Sequence, residues 1–575
     1  MENCKADLIL KNGLIHTVDV NKTIVEAVAI KDGSIVSTGK TSEIESYLSP
    51  QTKVIDLKGK LVLPSFGDSH MHPSQSAYIY QYQLSLHNMF KHEEYIEAIK
   101  AFSESHPDLP GIYGAGFQRS AYDKIGPRKE VLDTIDSTRP IAICSTDGHS
   151  LWVNSKALEM AGITKGTPAP AGGTFQLDPE TGEPAGLLQE HAAMELVESI
   201  FPSGSKEDMK KSLLWLQKWL NEKGITFVHD AWINLDAKNI HEAYQELDRE
   251  GLLTIRVRGS WFIEPKDGFL DRIAEGIELS QQVNGDNFQV NSFKFFVDQV
   301  IEEETAALLE PYTHRPDFYG QLDWSLENLI SAYAKVDRAN FQIHTHAIGD
   351  AGVKQSVDAL LEVRRINGKR DARPSLAHVQ LAQAEDIKKM ADLDVSAHIS
   401  PYWMVVDDYF WDLYYPYLGS ERAHHKQYPH KSLFDAGVNV TCASDFFVTE
   451  PDIGWVLFSG VTRTLPKRIF DEKYNHLPDY EYVSDPSVTL SKYQVGMLGP
   501  KEECVSVENM VDELTINIAY ANFLEKITGS LEIGKKADLV VLDRNLYQID
   551  IEALANPKIL LTLFEGKTVF QAEDF

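Results

Sequence analysis

The stretch Leu61-Val-Leu-Pro-Ser-Phe-Gly-Asp-Ser-His-Met-His72 joins a short apolar segment to two histidines that lie two residues apart. The apolar residues 61–63 predict a buried strand. On an extended segment, side chains two residues apart face the same way, so His70 and His72 can present both imidazoles to one metal ion. Such a pair is weak evidence when taken alone, and its meaning depends on what the rest of the chain supplies.

Seven further short apolar segments follow this stretch, and most of them end in polar residues. The eight predicted strands are residues 61–63, 225–230, 254–258, 292–297, 341–346, 375–378, 395–398 and 438–443. Helical patterns separate most of them, for example at residues 326–340 and 351–367. Strands that alternate with helices indicate a parallel sheet, and eight of them predict an α/β fold of the (β/α)8 TIM-barrel type.

Both ends of the chain are rich in short predicted strands. Asn12-Gly13 and Asp32-Gly33 interrupt alternating apolar residues near the N-terminus, and residues 537–570 have the same character. Because the ends of a compact domain often lie close together, we predict a small β-sandwich of residues 1–60 and 516–575, flanking a barrel of residues 61–515. The gap between the first two barrel strands is far longer than an ordinary connection, so residues 75–222 are predicted to form an inserted subdomain over the barrel mouth.

The composition disfavours several classes of protein. The chain has 575 residues, of which 43% are hydrophobic and 24% charged, and this balance is typical of globular proteins. Its net charge of −30 disfavours a nucleic-acid partner, because phosphates require a basic surface. The cysteines Cys4, Cys144, Cys442 and Cys504 have neither metal-binding nor disulfide spacing, and the first residues lack the basic start and apolar run expected of a signal peptide. No apolar run could span a membrane, so we expect a soluble cytoplasmic protein; the oligomeric state stays open, a homodimer included.

Metal-ligating residue types recur where the later predicted strands end. His344 and His346 end the fifth strand, His378 ends the sixth, and Asp445 follows the eighth. Imidazole and carboxylate are the ligands of zinc and similar divalent ions, and the carboxyl ends of barrel strands meet at one face. Together with the first His-x-His pair, these residues predict a metal centre at the barrel mouth.

Lys294 lies inside the apolar strand Ser292-Phe-Lys-Phe-Phe296, where an ammonium group is costly to bury. Burial lowers the pKa of a lysine and gives a reactive amine, which can combine with carbon dioxide to form a carbamate able to bridge two metal ions. The alternative is an ordinary ion pair with Asp298, which points to the same face of the strand.

These residues together resemble the amidohydrolase superfamily. The resemblance rests on the motifs Pro64-Ser-Phe-Gly-Asp-Ser-His-Met-His72, Lys294, His346-Ala-Ile-Gly-Asp350, His378, Ser444-Asp445 and Gly529-Ser-Leu-Glu-Ile-Gly-Lys-Lys-Ala-Asp-Leu-Val-Val-Leu542. The segments Asp147-Gly-His-Ser-Leu-Trp-Val-Asn-Ser-Lys-Ala-Leu158 and Gly182-Glu-Pro-Ala-Gly186 are similar to the YtcJ-like branch, which includes N-substituted formamide deformylases. The resemblance covers nearly the whole chain.

The resemblance implies a barrel with two zinc ions, or with one, and a β-sandwich built from both chain ends. It places the metal ligands on His70, His72, Lys294 as a carbamate, His346, His378 and Asp445. His344 does not match a ligand position, so we interpret it as a core or supporting histidine. The chain departs from the usual pattern at Pro64-Ser65, Ala377-His378, Asp298-Gln299 and the residues after Asp445, so the substrate pocket need not match that of a characterised member.

The expected reaction is metal-assisted hydrolysis of a non-peptide C–N bond in a small molecule, with Asp445 as the general base. His149 and Asn154, in the inserted motif, are candidates for substrate contact, and His149 could instead be structural. The aromatic residues of 402–415 could form a pocket wall or merely pack a long loop. Two alternatives stay open: a mononuclear aminohydrolase acting on a ring, disfavoured because Ala377-His-Val-Gln380 lacks an adjacent glutamate, and a non-catalytic ligand-binding barrel.

Overall fold

The computed structural model describes residues 5–575 except 88, 124, 171, 203, 235–239, 476 and 574. Its centre is a continuous parallel ladder of eight strands. In chain order these are β1 (Phe66–Met71), β2 (Ile225–Asp230), β3 (Arg256–Phe262), β4 (Phe288–Phe296), β5 (Gln342–Ala347), β6 (Ser375–His378), β7 (Ser396–Ile399) and β8 (Asn439–Cys442). This arrangement confirms the predicted TIM-type barrel.

Helices connect the strands and cover the outside of the barrel. They are α1 (Lys206–Glu222), α2 (Ile240–Arg249), α3 (Phe269–Val283), α4 (Leu326–Arg338), α5 (Asp350–Asn367), α6 (Ala384–Asp392) and α7 (His430–Asp435). In α4, the Ser325 hydroxyl accepts a hydrogen bond from the backbone N–H of Asn328 and caps the first turn. Leu329, Tyr333 and Val336 then recur at helical spacing and are buried against the strands.

The first barrel strand is not the one that the sequence predicts. Leu61–Pro64 pairs antiparallel with Leu539–Leu542 and parallel with Leu14–His16, outside the barrel. The barrel begins at β1, two residues later. Both segments are fully buried, and an apolar run of this length does not reveal which of two adjacent sheets it joins. The predicted barrel start at residue 61 is therefore wrong, and the terminal strands extend to Pro64.

Strands from both chain ends form two sheets beside the barrel. One has the order Lys567–Gln571, Ile559–Phe564, Leu539–Leu542, Leu61–Pro64, Leu14–His16 and Ile24–Val25; the other has the order Ser34–Gly39, Ala27–Lys31, Leu8–Lys11 and Lys53–Asp56. Leu10 and Val28 of the second sheet share one apolar core with Val62 and Leu561 of the first. The helix Ile516–Ala521, which the sequence assigns to this region, instead packs its Ile518 against Phe227 of β2.

The insertion between β1 and β2 carries a six-stranded sheet of its own. Its order is Thr174–Leu177, Pro184–Gln189, Ser150–Val153, Ile141–Ser145, Ile112–Phe117 and Leu84–Ser85. Helix α1 falls inside the predicted insertion of residues 75–222 but belongs to the barrel. Its Gln217 donates a hydrogen bond to the carbonyl of Leu252, and its Asn221 donates to the carbonyl of Ile225 in β2. The predicted insertion is therefore too long at its C-terminal end.

The structure also bears on the predictions about the cysteines and about membrane-spanning segments. Cys144, Cys442 and Cys504 are free thiols, whereas Cys4 lies outside the described residues. Throughout the described part of the chain, no helix combines the length and the apolar character needed to cross a bilayer.

A buried ion pair joins the barrel to the terminal sheets. Arg256, the first residue of β3, donates to Asp538 at 2.5 Å and to Glu565 at 2.8 Å. Arg256 and Asp538 are 2% and 1% exposed. Because a buried charge without its partner is strongly unfavourable, this contact couples the stability of the two units.

We expect Arg256→Ala to lower the thermal unfolding midpoint clearly, since removing one partner of a buried pair costs about 3–5 kcal/mol. Arg365→Ala is the matched control, because Arg365 pairs with Glu362 on the surface and such pairs contribute about 0–1 kcal/mol. Differential scanning calorimetry of both variants tests this expectation. Equal midpoints in the two variants would contradict a structural role for the Arg256 pair.

Candidate metal centre

The predicted metal ligands all lie at one end of the barrel. They are His70 in β1, His72 directly after it, Lys294 in β4, His346 in β5, His378 at the end of β6 and Asp445 three residues beyond β8. This is the carboxyl-terminal face, where barrel enzymes place their active sites. Parallel strands thus gather residues that are far apart in sequence.

The distances show that the six side chains form one cluster. Single ligand atoms of His70, His378 and Asp445 lie within 4.8 Å of one another. Oδ1 of Asp445 is 3.3 Å from Nε2 of His70 and 3.2 Å from Nε2 of His72. The rings of His346 and His378 are 4.5 Å apart between centroids. The structure therefore brings the predicted ligands together.

The chemistry of the cluster fits a divalent cation. Oδ1 of Asp445 and Nδ1 of His378 are buried and form no hydrogen bond, although such atoms normally have a partner. Burial holds the pKa of His70, His346 and His378 well below the ordinary value. Their imidazoles are therefore neutral, which is the form that binds a metal.

Lys294 lies within this cluster. Its Nζ is 3.2 Å from Nε2 of His70, and burial lowers its pKa to about 7. The alternative ion pair with Asp298 is absent from the described structure, because that carboxylate accepts the backbone N–H groups of Ala307, Ile348 and Gly349. Much of the amine is therefore uncharged at neutral pH and available for reaction.

A second layer of groups holds the ligands in place. Asp68 accepts the backbone N–H groups of His70 at 3.1 Å and Ser444 at 3.2 Å. Nε2 of His344 lies 2.6 Å from Nδ1 of His70, so His344 supports a ligand, as the sequence suggests. Such contacts fix the orientation of a ligand ring and leave its other nitrogen free for the metal.

Two ligands have a backbone conformation that side-chain-bearing residues seldom adopt. The φ angle is +76° at His378 and +55° at Asp445. Left-handed backbone at residues other than glycine is strained, and such strain concentrates at functional sites. His378 is the last residue of β6, and Asp445 lies three residues beyond β8. The turn after each strand places the side chain in the cluster.

His149 reaches the cluster from the insertion. Its ring centroid is 6.0 Å from that of His346, and its Nδ1 lies 2.7 Å from a carboxylate oxygen of Glu190. Burial alone would lower the pKa of His149, but the charge and hydrogen bond of Glu190 raise it to about 9. His149 is thus a charged side chain held at the mouth of the barrel by a buried carboxylate.

Asn154 does not reach the site, and its predicted role in substrate contact is wrong. It is fully buried within the insertion. Its side-chain oxygen accepts the backbone N–H groups of Ile141 and Ala157, and its nitrogen donates to the carbonyls of Asp136 and Arg139. All its hydrogen-bonding capacity is used to cap the helix Ser155–Met160 and to brace the neighbouring loop.

Two cavities, of about 260 and 580 Å³, meet at the metal cluster. Both are lined by His149, His346, His378 and Asp445. Of the aromatic residues predicted in 402–415, Tyr402, Trp403, Tyr409 and Tyr414 line the smaller cavity, whereas Phe410, Trp411 and Tyr415 do not. Trp232, Phe262 and Phe296 line the larger one. A bound molecule can therefore extend from the metal cluster into either cavity.

Sequence reasoning misses several residues of the site. Asp68 stands in the quoted first motif, and its position two residues before His70 could have marked it as a supporting group. Asp147, in the inserted motif, lines both cavities. Glu190 and Glu302 carry no signal in the sequence, since only the fold brings the insertion and the loop after β4 to the barrel mouth.

The fold and the ligand set define a metal-dependent hydrolase of the barrel type. The chain belongs to the amidohydrolase family, whose pattern matches residues 53–570. As a member, it is a hydrolase that acts on carbon–nitrogen bonds other than peptide bonds.

Its relatives confirm the predicted resemblance to the YtcJ-like branch. The chain is 27% identical to "Protein LONG AFTER FAR-RED 3" of Arabidopsis thaliana (98% of this chain, 92% of the relative). It is 25% identical to "N-substituted formamide deformylase" of Arthrobacter pascens (97% of each) and 26% identical to "Putative amidohydrolase YtcJ" of Bacillus subtilis (98% and 99%). An uncharacterized metal-dependent hydrolase from Pyrococcus furiosus has the same fold, with a TM-score of 0.68 at 23% identity, over 94% of this chain and 100% of that one.

We expect the purified protein to contain divalent metal, and the double variant His70→Ala/His72→Ala to lose most of it. Both imidazoles contact the same carboxylate of Asp445, so their removal dismantles one side of the cluster. Elemental analysis by mass spectrometry gives the metal content per chain. The control is His424→Ala/His425→Ala, which removes two neighbouring histidines outside the cluster. Full metal occupancy in the first variant would contradict the assignment.

Proposed function

We propose that this protein hydrolyses an amide or formamide-like C–N bond of a small molecule, using a metal-activated water and Asp445 as the general base. The observation that carries the proposal is the convergence of three neutral imidazoles, a buried carboxylate oxygen without a hydrogen bond and a buried amine at the carboxyl end of the barrel. An amide-type substrate is supported by the relative named as an N-substituted formamide deformylase.

The residues that would hold the metal are His70, His72, His346, His378 and Asp445, with Lys294 as a carbamate. We propose two zinc ions, because a carboxylated Lys294 adds a bidentate anion to the set. The carbamate forms when the uncharged Nζ adds to carbon dioxide and releases a proton. Bound divalent metal supplies a water of lowered pKa and polarises the substrate carbonyl.

The side chains of the protein carry the proton and orient the substrate. Asp445 accepts a proton from the attacking water and delivers it to the nitrogen that leaves. His149 donates a hydrogen bond to the substrate from the insertion, and Glu190 fixes its orientation through the 2.7 Å contact with Nδ1. The two cavities, which meet at the cluster, then hold the acyl and amine parts of the substrate.

A panel of N-formyl and N-acyl amines tests the proposal. We expect the metal-loaded protein to release the free amine and the carboxylate, and chelation to abolish the activity. Simple ring amines serve as the comparison, with ammonia measured as the product. Release of ammonia from ring amines without any cleavage of acylated amines would contradict the proposal and identify a deaminase.

We expect Asp445→Asn to fold normally and to lose turnover. Removal of a general base typically lowers the rate by about 10²–10⁴-fold, and the loss of a charged ligand adds to this. The control is Asp435→Asn, an exposed carboxylate at the end of α7 that pairs with Lys431. Circular dichroism checks the fold and a product assay gives kcat. Near-normal activity in folded Asp445→Asn would rule out its role.

We expect Lys294→Ala to reduce metal content and activity together. Added short carboxylic acids should restore part of both, because an acid can occupy the space of the carbamate. Lys294→Met is the matched control for cavity size, since its longer side chain fills that space and blocks the acid. Mass spectrometry under native conditions and crystallography can detect the carbamate directly. An unmodified amine in a fully active, metal-loaded protein would overturn this part of the mechanism.

A further inference from the structure

The smaller cavity carries an excess of negative charge. Seven carboxyl groups, three lysine or arginine side chains and the charged His149 are among its described lining residues. The cations already have partners: Arg468 lies 2.6 Å from Asp452, and Lys473 lies 4.0 Å from Asp408. Lys223 stands over the ring of Trp219 at 4.4 Å. The remaining carboxylates of the cavity therefore carry the excess negative charge.

Among the described residues, Asp452 is the one lining carboxylate that pairs with an arginine or lysine, and the unpaired carboxylates include Asp147 and Glu302, which lie near His149. One oxygen of Asp147 accepts the backbone N–H of His149 at 3.0 Å, whereas Oδ2 is shielded from solvent and forms no hydrogen bond. Glu302 accepts the hydroxyl of Tyr414. Burial, with the charge of Asp147 adding to it, raises the pKa of Glu302 to about 7, although the charge of His149 opposes the rise.

The nearby positive charge does not balance them. His149 is the charged side chain that interacts electrostatically with both groups, and its Nδ1 is already bound by Glu190. Arg119 is bound by Glu303 at 3.1 Å. One imidazolium therefore faces three carboxyl groups, Asp147, Glu190 and Glu302, and a bound cation would favour the ionised form of Glu302 that burial disfavours.

Aromatic rings line the same part of the cavity. Tyr409 and Tyr414 have ring centroids 6.5 Å apart, and Trp403 and Tyr428 are further lining residues. The faces of such rings attract cations, and the attraction is stronger where water is excluded. Carboxylates and aromatic faces together form the type of surface that binds an organic cation.

We propose that the smaller cavity binds an organic cation, so that the substrate carries a protonated amine or similar group on one side of the scissile C–N bond. This inference rests on the proposed function. The charged group lies between Asp147 and Glu302, against the rings of Tyr409 and Tyr414. The remainder of the substrate extends past the metal cluster into the larger cavity, whose wall of Trp232, Phe262 and Phe296 suits an apolar group.

The competing explanation is that these carboxylates only offset the charge of the metal ions. The two explanations predict different effects of Glu302→Gln. Loss of a cation site lowers the preference for a charged substrate and leaves the metal content unaltered. Loss of a metal-balancing charge lowers metal content and affects charged and neutral substrates equally.

The experiment compares two formamides that differ in one group: N-formyl-1,4-diaminobutane, with a terminal ammonium, and N-formylpentylamine, with a methyl in its place. In the metal-loaded protein we expect kcat/KM to favour the charged compound by about tenfold or more, the range of a hydrogen bond to a charged group. Glu302→Gln should remove most of this preference. Asp471→Asn, an exposed carboxylate on the helix Lys467–Tyr474, is the control and should retain it.

Calorimetric titration of both compounds separates the failure of this inference from the failure of the proposed function. Selective binding of the charged compound without turnover would support the cation site and contradict the hydrolase mechanism. Turnover of both compounds with equal affinity would overturn the cation site alone. Parallel losses of metal and of both activities in Glu302→Gln would assign the carboxylate to charge balance and overturn the inference.

Discussion

The metal centre depends on how the first and last barrel strands are joined. The carboxylate of Asp68 binds the backbone N–H groups of His70 and Ser444, which come together from opposite ends of the barrel sequence. The N–H of Asp445 donates to the carbonyl of His70 at 2.9 Å, and the N–H of His72 donates to that of Phe446 at 2.7 Å. These hydrogen bonds between the ends of β1 and β8 fix the relative positions of three proposed ligands, His70, His72 and Asp445. The proposed ligands of the middle strands, Lys294, His346 and His378, complete the site.

Much of this arrangement could be predicted because its chemistry follows the strand periodicity. His346 and His378 end strands that alternate with clear helical patterns, and parallel strands place such ends on one face. Lys294 could be recognised because an ammonium group conflicts with the apolar strand around it. In each case a local conflict or repeat in the sequence leaves few structural solutions. The barrel type and the clustering of the candidate ligands at its carboxyl-terminal face could therefore be predicted from the sequence.

The wrong predictions concern residues whose buried positions look alike in the sequence although their structural environments differ. Leu61–Pro64 and β1 are both fully buried, so the sequence could not show that the chain changes sheets between them. Asn154 stands in the same motif as His149, but it directly precedes the helix Ser155–Met160, the usual place for an N-cap asparagine. That signal was available. The contact of Glu190 with His149 was not, because it depends on how the strands of the insertion pair.

Burial has opposite effects on the two kinds of group at the barrel mouth, and this difference organises the site. It keeps the imidazoles of His70, His346 and His378 neutral and brings the pKa of Lys294 to about 7, so that these groups are ready to bind or react. The same exclusion of water raises the pKa of Asp68 and Glu302 to about 7, which makes each of them dependent on a hydrogen bond or a cation. Asp68 accepts hydrogen bonds from the backbone N–H groups of His70 and Ser444. Among the described residues, Glu302 accepts a hydrogen bond from the hydroxyl of Tyr414 and pairs with no lysine or arginine, and the open cavity beside it has room for a cationic partner.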